Sequence, residues 1–367
     1  METARPDRPL RHGWTTGTCA AAATRAAYQA LLTSVFPDPV SVLLPGGTRP
    51  AFALAMTEHG PDFARAGVVK DAGDDPDATH GALIVSTVRL GEAGSGVIFR
   101  AGEGVGTVTR AGLPLPPGEP AINPVPREMI RTAIAEAAAL HRGSGDAVVE
   151  ISIPGGEKIA ERTLNGRLGI IGGLSVLGTT GLVVPYSCSA WIHSIHRGID
   201  VARAAGLDHV AGATGSTSEA AVAALYGLPE TALIDMGDFV GGMLKYLRQH
   251  QVPLVTVAGG MAKMTKLGQG LLDLHSRRGE VDLDWLSRIA ADSGGTGEIV
   301  ARVAQSNSAM EAFGHAEAAG VDLPAGVAAA AWKTAAQALG NGMQLEVVVF
   351  GRTGRLLGRT GFQAIGI

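Results

Sequence analysis

The chain has 367 residues, 46% hydrophobic and 17% charged, with 30 basic against 34 acidic residues and 52 glycines. That apolar fraction excludes a disordered chain, glycine without a three-residue period excludes collagen, and no apolar run reaches the eighteen or so residues of a membrane span. A formal net charge of −4 without a basic block, few aromatics and only two cysteines, Cys19 and Cys188, argue against a nucleic-acid footprint, a disulfide framework and a cysteine-built metal site.

In chain order, CAAAATRAAYQALLT predicts a helix from about Cys19 to Thr33, with Thr15, Thr16 and Thr18 as candidate caps. Strand-like pieces begin at Val40 and Ala51, joined by Pro45-Gly46-Gly47-Thr48. The polar loop 68–81, VVKDAGDDPDATHG, leads into the strands ALIVSTVRL and VIFRAG. Apolar spacing through Met129, Ile130, Ile134, Ala137 and Ala138 predicts a helix from about Arg127 to His141, and AVVEISIP a further strand. Residues 1–164 therefore read as an α+β domain.

Beyond 165 the rhythm changes. A helix is expected from Ser187 to Gly206, with Ile192, Ile195, Ile199 and Ala202 on one stripe. Three strand–loop–helix units follow: DHVAGAT into EAAVAALYG, TALIDM into GMLKYLRQH, and VPLVTVAGG into MAKMTKLGQGLLDLHS. Short apolar strands alternating with helices predict a parallel sheet, a Rossmann-like α/β domain over 165–300. Residues 301–367 read as helices and a terminal hairpin, LEVVVF with RLLGRT, completing the fold. The fold class is thus a two-domain α+β and α/β chain.

Six glycines lie between Gly166 and Gly181, with Thr179 and Thr180 among them. Such a stretch lets a ligand approach the main chain, or simply packs a strand onto a helix. AGATGSTSE (211–219) places backbone N–H groups at a helix start, which suits a carboxylate or phosphate. Asp235, twenty residues after Gly215, falls at the end of the next strand, where an acid can take ribose hydroxyls. The pattern is not G-x-G-x-x-G, so an ordinary helix cap stays open. Gly102, Gly104 and Gly106 lead into extended chain, which discounts them as a cofactor loop. Loop 68–81 lacks the order of a calcium loop and reads either as turn chemistry or as a polar rim carrying a base. His193 and His196, with Arg197 and Asp200, read as a solvated helix face, and Cys19 and Cys188 as packing residues.

LRHGWTTGTCAAAATRAA (10–27), VVKDAGDDPDATHG (68–81), GEGVGTVTRAGLPLPPGEPAINPVPREMI (102–130) and GIIGGLSVLGTTGLVVPYS (169–187) occur in that order. ATGSTSE, MGDFVG, AKMTKLGQG and SNSA (306–309) follow. Together they resemble the cobalt-precorrin-5B C(1)-methyltransferase family of cobalamin biosynthesis across nearly the whole chain. Arg110-Ala111 stands where that family tends to have Lys-Pro, and SNSA where it tends to have Asn-Thr-Ala.

The resemblance implies methyl transfer from S-adenosylmethionine to carbon 1 of a ring-contracted cobalt corrinoid, with no protein-bound metal. With the Rossmann-like half expected to hold the co-substrate, Gly172, Gly173, Thr179, Thr180 and Gly181 would line its methionine or sulfonium end. Gly215 and Ser216 would meet its carboxylate, and Asp235 its ribose. Arg11, Thr15, Thr16, Gly17, Thr18, Lys70, Asp71, Asp74, Arg110 and Arg127 would face the corrinoid across an interdomain cleft. Arg167, Lys263 and Lys266 are further partners for its carboxylates, and Asp75 is the candidate base. A cytoplasmic protein with no nucleic-acid or membrane partner is expected, and a homo-oligomer is allowed. Two other readings remain: an NAD(P)-dependent oxidoreductase, which calls for the missing G-x-G-x-x-G, and a non-catalytic tetrapyrrole carrier, which needs no nucleotide-type domain.

Overall fold

A computed structural model describes residues 9–366, and the chain divides after Cys188 into two compact units of mixed α/β structure. The first unit opens with β1 (Gly13–Trp14) and α1 (Thr16–Thr33), followed by β2 (Val40–Ser41), β3 (Ala51–Phe52), β4 (Met56–His59) and β5 (Ala64–Val69). It continues with β6 (Leu83–Leu90), β7 (Val97–Ala101), β8 (Thr107–Val108), α2 (Pro124–His141), β9 (Ala147–Ser152), α3 (Gly156–Ala160), β10 (Ile170–Ile171) and β11 (Leu182–Val183). Five strands form one sheet in the order β4-β5-β6-β9-β7, antiparallel except where β7 runs parallel to β9.

Helix α1 is buried along most of its length. Ala20–Ala23, Ala26, Ala27 and Ala30 have no exposed surface, and their small side chains let α2 and the sheet approach closely. A Cβ added to Gly17 would stand 2.7 Å from Pro126 Cγ of α2. β9 alternates as a half-buried strand should, with Ala147, Val149 and Ile151 inside. Helix α2 begins three residues before the predicted Arg127, because Pro124 at its first position has φ already set for a helix. The strand-like pieces at Val40 and Ala51 pair over only two residues each. Strands β4 and β5 carry no clean apolar alternation and were not expected from the pattern.

The glycine-rich stretch, expected to open the second domain, packs in the first unit. β10 pairs with β8 and β11 with β1, while Leu174 bridges to Val105 and Val176 to Ile122. Leu174 and Val176 are buried in the core that holds Ile122, Ile130 and Ile151.

The second unit comprises α4 (Ser189–Ala204), β12 (His209–Ala213), α5 (Ser216–Tyr226), β13 (Leu233–Asp235), α6 (Val240–Leu247), β14 (Leu254–Gly260) and α7 (Met261–Gly268). Then come α8 (Leu283–Asp292), α9 (Gly297–Ala304), α10 (Ala309–Ala318), α11 (Leu323–Leu339), β15 (Gln344–Phe350), β16 (Leu356–Arg359) and β17 (Gln363–Ala364). β13, β12, β14 and β15 are parallel neighbours in that order, and β16 and β17 lie antiparallel to β15. Side chains divide with the strand period of two. Val210, Val255, Val257, Val347 and Val349 join one core with residues of α4, α6, α7 and α11. Ala211, Ala258, Val348 and Phe350 pack on the other face against α5. The three predicted strand–loop–helix units are present. The hairpin's first strand also extends the parallel sheet, which its sequence did not announce.

Candidate functional site

Three of the motifs converge at the start of α1. The Trp14 N–H donates to the Asp71 carbonyl at 2.8 Å, and the Asp74 N–H to the Arg11 carbonyl at 3.0 Å. From the other side, the Thr15 N–H donates to the Gly181 carbonyl at 3.1 Å, the Gly17 N–H to Leu177 at 3.0 Å, and the Thr18 hydroxyl to Gly181 at 2.7 Å. Segment 10–18 thus lies between loop 68–81 and the stretch 177–187. Gly13 is the point of closest approach: a Cβ there would lie 2.0 Å from the Ala72 carbonyl carbon.

This geometry bears on the residues expected to face the corrinoid. Thr15, Thr16 and Thr18 are buried, and the Thr18 N–H is taken by Thr15 Oγ1 at 3.3 Å. With Gly17 also bonded, these groups of the helix start join distant segments of the chain. Cys19 beside it is an inert thiol, pushed up to about 12 by burial.

The charged residues of loop 68–81 also have partners. Arg11 grips Asp71 through both terminal nitrogens, Nη2 at 2.9 Å from Oδ1. This hydrogen bond, with one from the Gly73 N–H, holds the Asp71 carboxyl below its ordinary value. The Arg11–Asp71 pair is more than 40% exposed on both sides, so its stabilising effect is small. Asp74 accepts from the Arg11 N–H at 2.8 Å. Lys70 is buried, its ammonium donating to Asp77 and Thr79. Asp75, the candidate base, accepts the Tyr186 N–H at 2.8 Å.

Segment 102–130 has a structural explanation for several of its residues. Gly104, at φ +71, packs where a Cβ would come within 1.9 Å of the Ile153 carbonyl oxygen. Its own carbonyl accepts the Leu174 N–H at 2.9 Å. Arg127 donates to the Ile122 and Pro120 carbonyls at 2.8 and 3.1 Å and to Glu119 at 2.8 Å, and its guanidinium lies over Phe99. Arg110 bonds the Arg167 carbonyl at 2.9 Å but stays exposed. Gly173 and Gly181 are buried, whereas Gly172, Thr179 and Thr180 face solvent. Around the exposed residues Ile171, Leu177, Val184 and Tyr186 are each 49–58% exposed.

In the second unit the strand order creates a different kind of site. Successive parallel strands β12, β13, β14 and β15 stand in the spatial order 2-1-3-4, so the strand order reverses between β12 and β14. Open α/β sheets bind ligands at such a point, outside the carboxyl ends of the strands. Here those ends run into two helices, α5 after Gly215 and α7 after Gly260, and no side chain caps either. A Cβ on Gly215 or Gly260 would meet nothing within 4 Å. Their backbones are therefore open to a ligand, at helix ends that favour negative charge. Asp235 closes β13 in register with Ala213 and Ala258 at the same sheet edge.

Gly215, Ser216 and Asp235 are therefore brought to one edge, as the sequence suggested. Gly260 was missed, although AGGMAK after an apolar strand has the same two alanines and two glycines as AGATGS. Trp191 was also missed; its indole Nε1–H donates to the Asp235 carbonyl at 3.0 Å. Lys263 is paired with Asp238, and Lys266 is buried with its ammonium 3.3 Å from the Leu274 carbonyl. Among the described residues, no group of three or more His, Cys, Asp or Glu side chains could hold a metal ion, and no helix is long and apolar enough to cross a membrane.

The second unit presents a glycine-bearing edge of a parallel sheet with an acid at the neighbouring strand end, and the first unit holds the four long motifs. The chain belongs to the CbiD family, which it matches over residues 3–185, with the CbiD C-terminal domain matched over 273–361. A cobalt-precorrin-5B C(1)-methyltransferase of Bradyrhizobium sp. is 66% identical over 98% of this chain and 96% of its own. A protein of the same name from Agrobacterium fabrum is 65% identical over 98% and 95%. A crystal structure of a cobalamin biosynthesis protein (CbiD) from Archaeoglobus fulgidus is 27% identical, covering 75% of this chain and 86% of that one at a TM-score of 0.41.

Proposed function

We propose that this protein methylates carbon 1 of cobalt-precorrin-5B, with S-adenosylmethionine as the methyl donor, in the cytoplasm. The observation that carries this is near-full-length identity to C(1)-methyltransferases. When bound, the donor supplies a methyl group on a sulfonium; the S–CH₃ bond breaks as the bond to carbon 1 forms, leaving S-adenosylhomocysteine, cobalt-precorrin-6A and a proton. Such a displacement depends on alignment and exclusion of water more than on acid–base help. That suits a chain whose candidate residues are loops and backbone.

In this reading the second unit is Rossmann-like and takes the co-substrate. Gly215, Ser216 and Gly260 receive its methionine carboxylate through backbone N–H groups, and Asp235 the ribose hydroxyls. The observation favouring this placement is the open backbone at both helix starts. Gly172, Thr179 and Thr180 then belong with the corrinoid-facing surface of the first unit, together with Arg110. Exposed Ile171, Leu177, Val184 and Tyr186 offer apolar area to the macrocycle, and the protein itself holds no metal. Asp75 would take the proton.

The purified protein should bind S-adenosylmethionine and not NADPH by calorimetry, and should add one methyl at carbon 1 of cobalt-precorrin-5B. Asp235→Ala should weaken S-adenosylmethionine about ten- to hundredfold, the loss expected for charged hydrogen bonds. Unchanged affinity in that variant would overturn the placement. Binding of NADPH alone would favour an oxidoreductase.

A further inference from the structure

We propose that Trp191 forms the aromatic wall against which the adenine of the co-substrate stacks, a role that rests on the co-substrate site proposed above. Of the four tryptophans, all among the described residues, Trp191 alone is exposed, at 44%. It lies in the first turn of α4, yet its ring is held against the end of β13. Its Nε1–H donates to the Asp235 backbone oxygen at 3.0 Å. Gly237, at φ +50, forms the seat beneath it: an added Cβ would stand 3.3 Å from the indole Cζ2. The Phe239 ring lies 6.4 Å away, tilted by 56°.

An indole whose polar edge is satisfied and whose carbon edge is seated is fixed in orientation, so little is lost on immobilising it further. An exposed ring held in this way presents a preoriented face on which a flat base can stack. Its tether is the backbone of the residue assigned to the ribose, and the base hangs one glycosidic bond from that sugar. A purine therefore reaches the indole when its ribose reaches Asp235. Stacking on an aromatic side chain is insensitive to the substituents of the base, and its removal by alanine carries a large loss of affinity.

The test uses the full-length protein and S-adenosylhomocysteine as the probe, with calorimetry and tryptophan fluorescence run in parallel. Trp191→Ala is expected to raise Kd about five- to hundredfold, whereas Trp191→Phe, which keeps a stacking face, stays within about threefold of wild type. S-adenosylhomocysteine should quench wild-type emission, and that quench should vanish in Trp191→Phe although the ligand still binds. If Trp191→Ala binds as tightly as wild type, or the quench persists in Trp191→Phe, the assignment of Trp191 is overturned and the co-substrate site stands. If the wild type does not bind S-adenosylhomocysteine, both fall. Should Trp191→Ala fail to fold, the phenylalanine variant decides through its fluorescence.

Discussion

Replacing Lys70 by methionine removes the positive half of a pair that the fold has taken out of water. The Lys70 side chain is 3% exposed and that of Asp77 is 23% exposed. Deleting one member of a buried pair costs about 3–5 kcal/mol, chiefly because the other charge is left buried and uncompensated. Asp77 keeps some access to water and accepts the Thr79 N–H at 2.7 Å and hydroxyl at 2.6 Å. The lower end, about 3 kcal/mol, is therefore expected for Lys70→Met at pH 7, and adding Asp77→Asn should restore part of it. The pH dependence gives a second reading. In the wild type, burial is the largest influence and pushes the Asp77 carboxyl up, but the charge and hydrogen bond of Lys70, with the bonds from Thr79, outweigh it and hold the group below 3.8. A lowered folded value contributes stability that is complete well above 3.8 and lost as pH falls through the folded value. In Lys70→Met burial acts without the opposing charge, so the carboxyl rises and stability is gained as pH falls through that raised value. The penalty of the variant should therefore shrink between pH 7 and about pH 4. Urea unfolding of the full chain across this range, with hydrogen exchange of segment 68–81, measures it. A loss below about 0.5 kcal/mol at pH 7 would refute the reasoning, since that is the scale of a solvated surface charge.

Arg127→Ala should lower stability by about 2 kcal/mol through its lost acceptors while leaving KM for the corrinoid within about twofold; a large KM change with unchanged stability would return Arg127 to the substrate. Gly13→Ala should expose loop 68–81 to limited proteolysis, because backbone 2.0 Å away cannot yield as a flexible side chain can; wild-type resistance would contradict the packing. Burial lowers the His209 pKa from 6.5, so its contribution is complete above that value and lost as pH falls below it. His209→Gln should accordingly flatten the decline in unfolding midpoint between pH 7.5 and 5.5, and an unaltered slope would assign the decline elsewhere. His196, lowered by burial and then by neighbouring His193, contributes in the same direction.

The elements of the second unit were legible because each carries its own period. Apolar runs of five to seven residues, then a glycine-opened helix, are local signals. The edge holding Gly215 and Asp235 could be read for the same reason. β5 escaped because Arg65 interrupts its apolar residues, although Ala64, Ala66, Gly67 and Val68 are buried. Trp191 gave no signal, since nothing in SCSAWIH says which strand end its ring will meet.

The sequence by itself determined most of the helices and strands, the family, and the placing of an acid and one open glycine, Asp235 and Gly215, at strand ends. These follow from periodicity and from uninterrupted motifs, which need no knowledge of distant residues. Only the tertiary structure decided that the stretch 165–187 packs with the first unit, that the Gly17 and Thr18 N–H groups at the start of α1 have acceptors within the chain, and that Lys70 and Arg127 have partners there. It also decided that β15 joins the parallel sheet. Each is a pairing between residues far apart in the chain, such as Thr18 with Gly181. The preference of a hydroxyl or an ammonium for a partner is chemical and local, but which partner it finds is set by how the strands and helices pack.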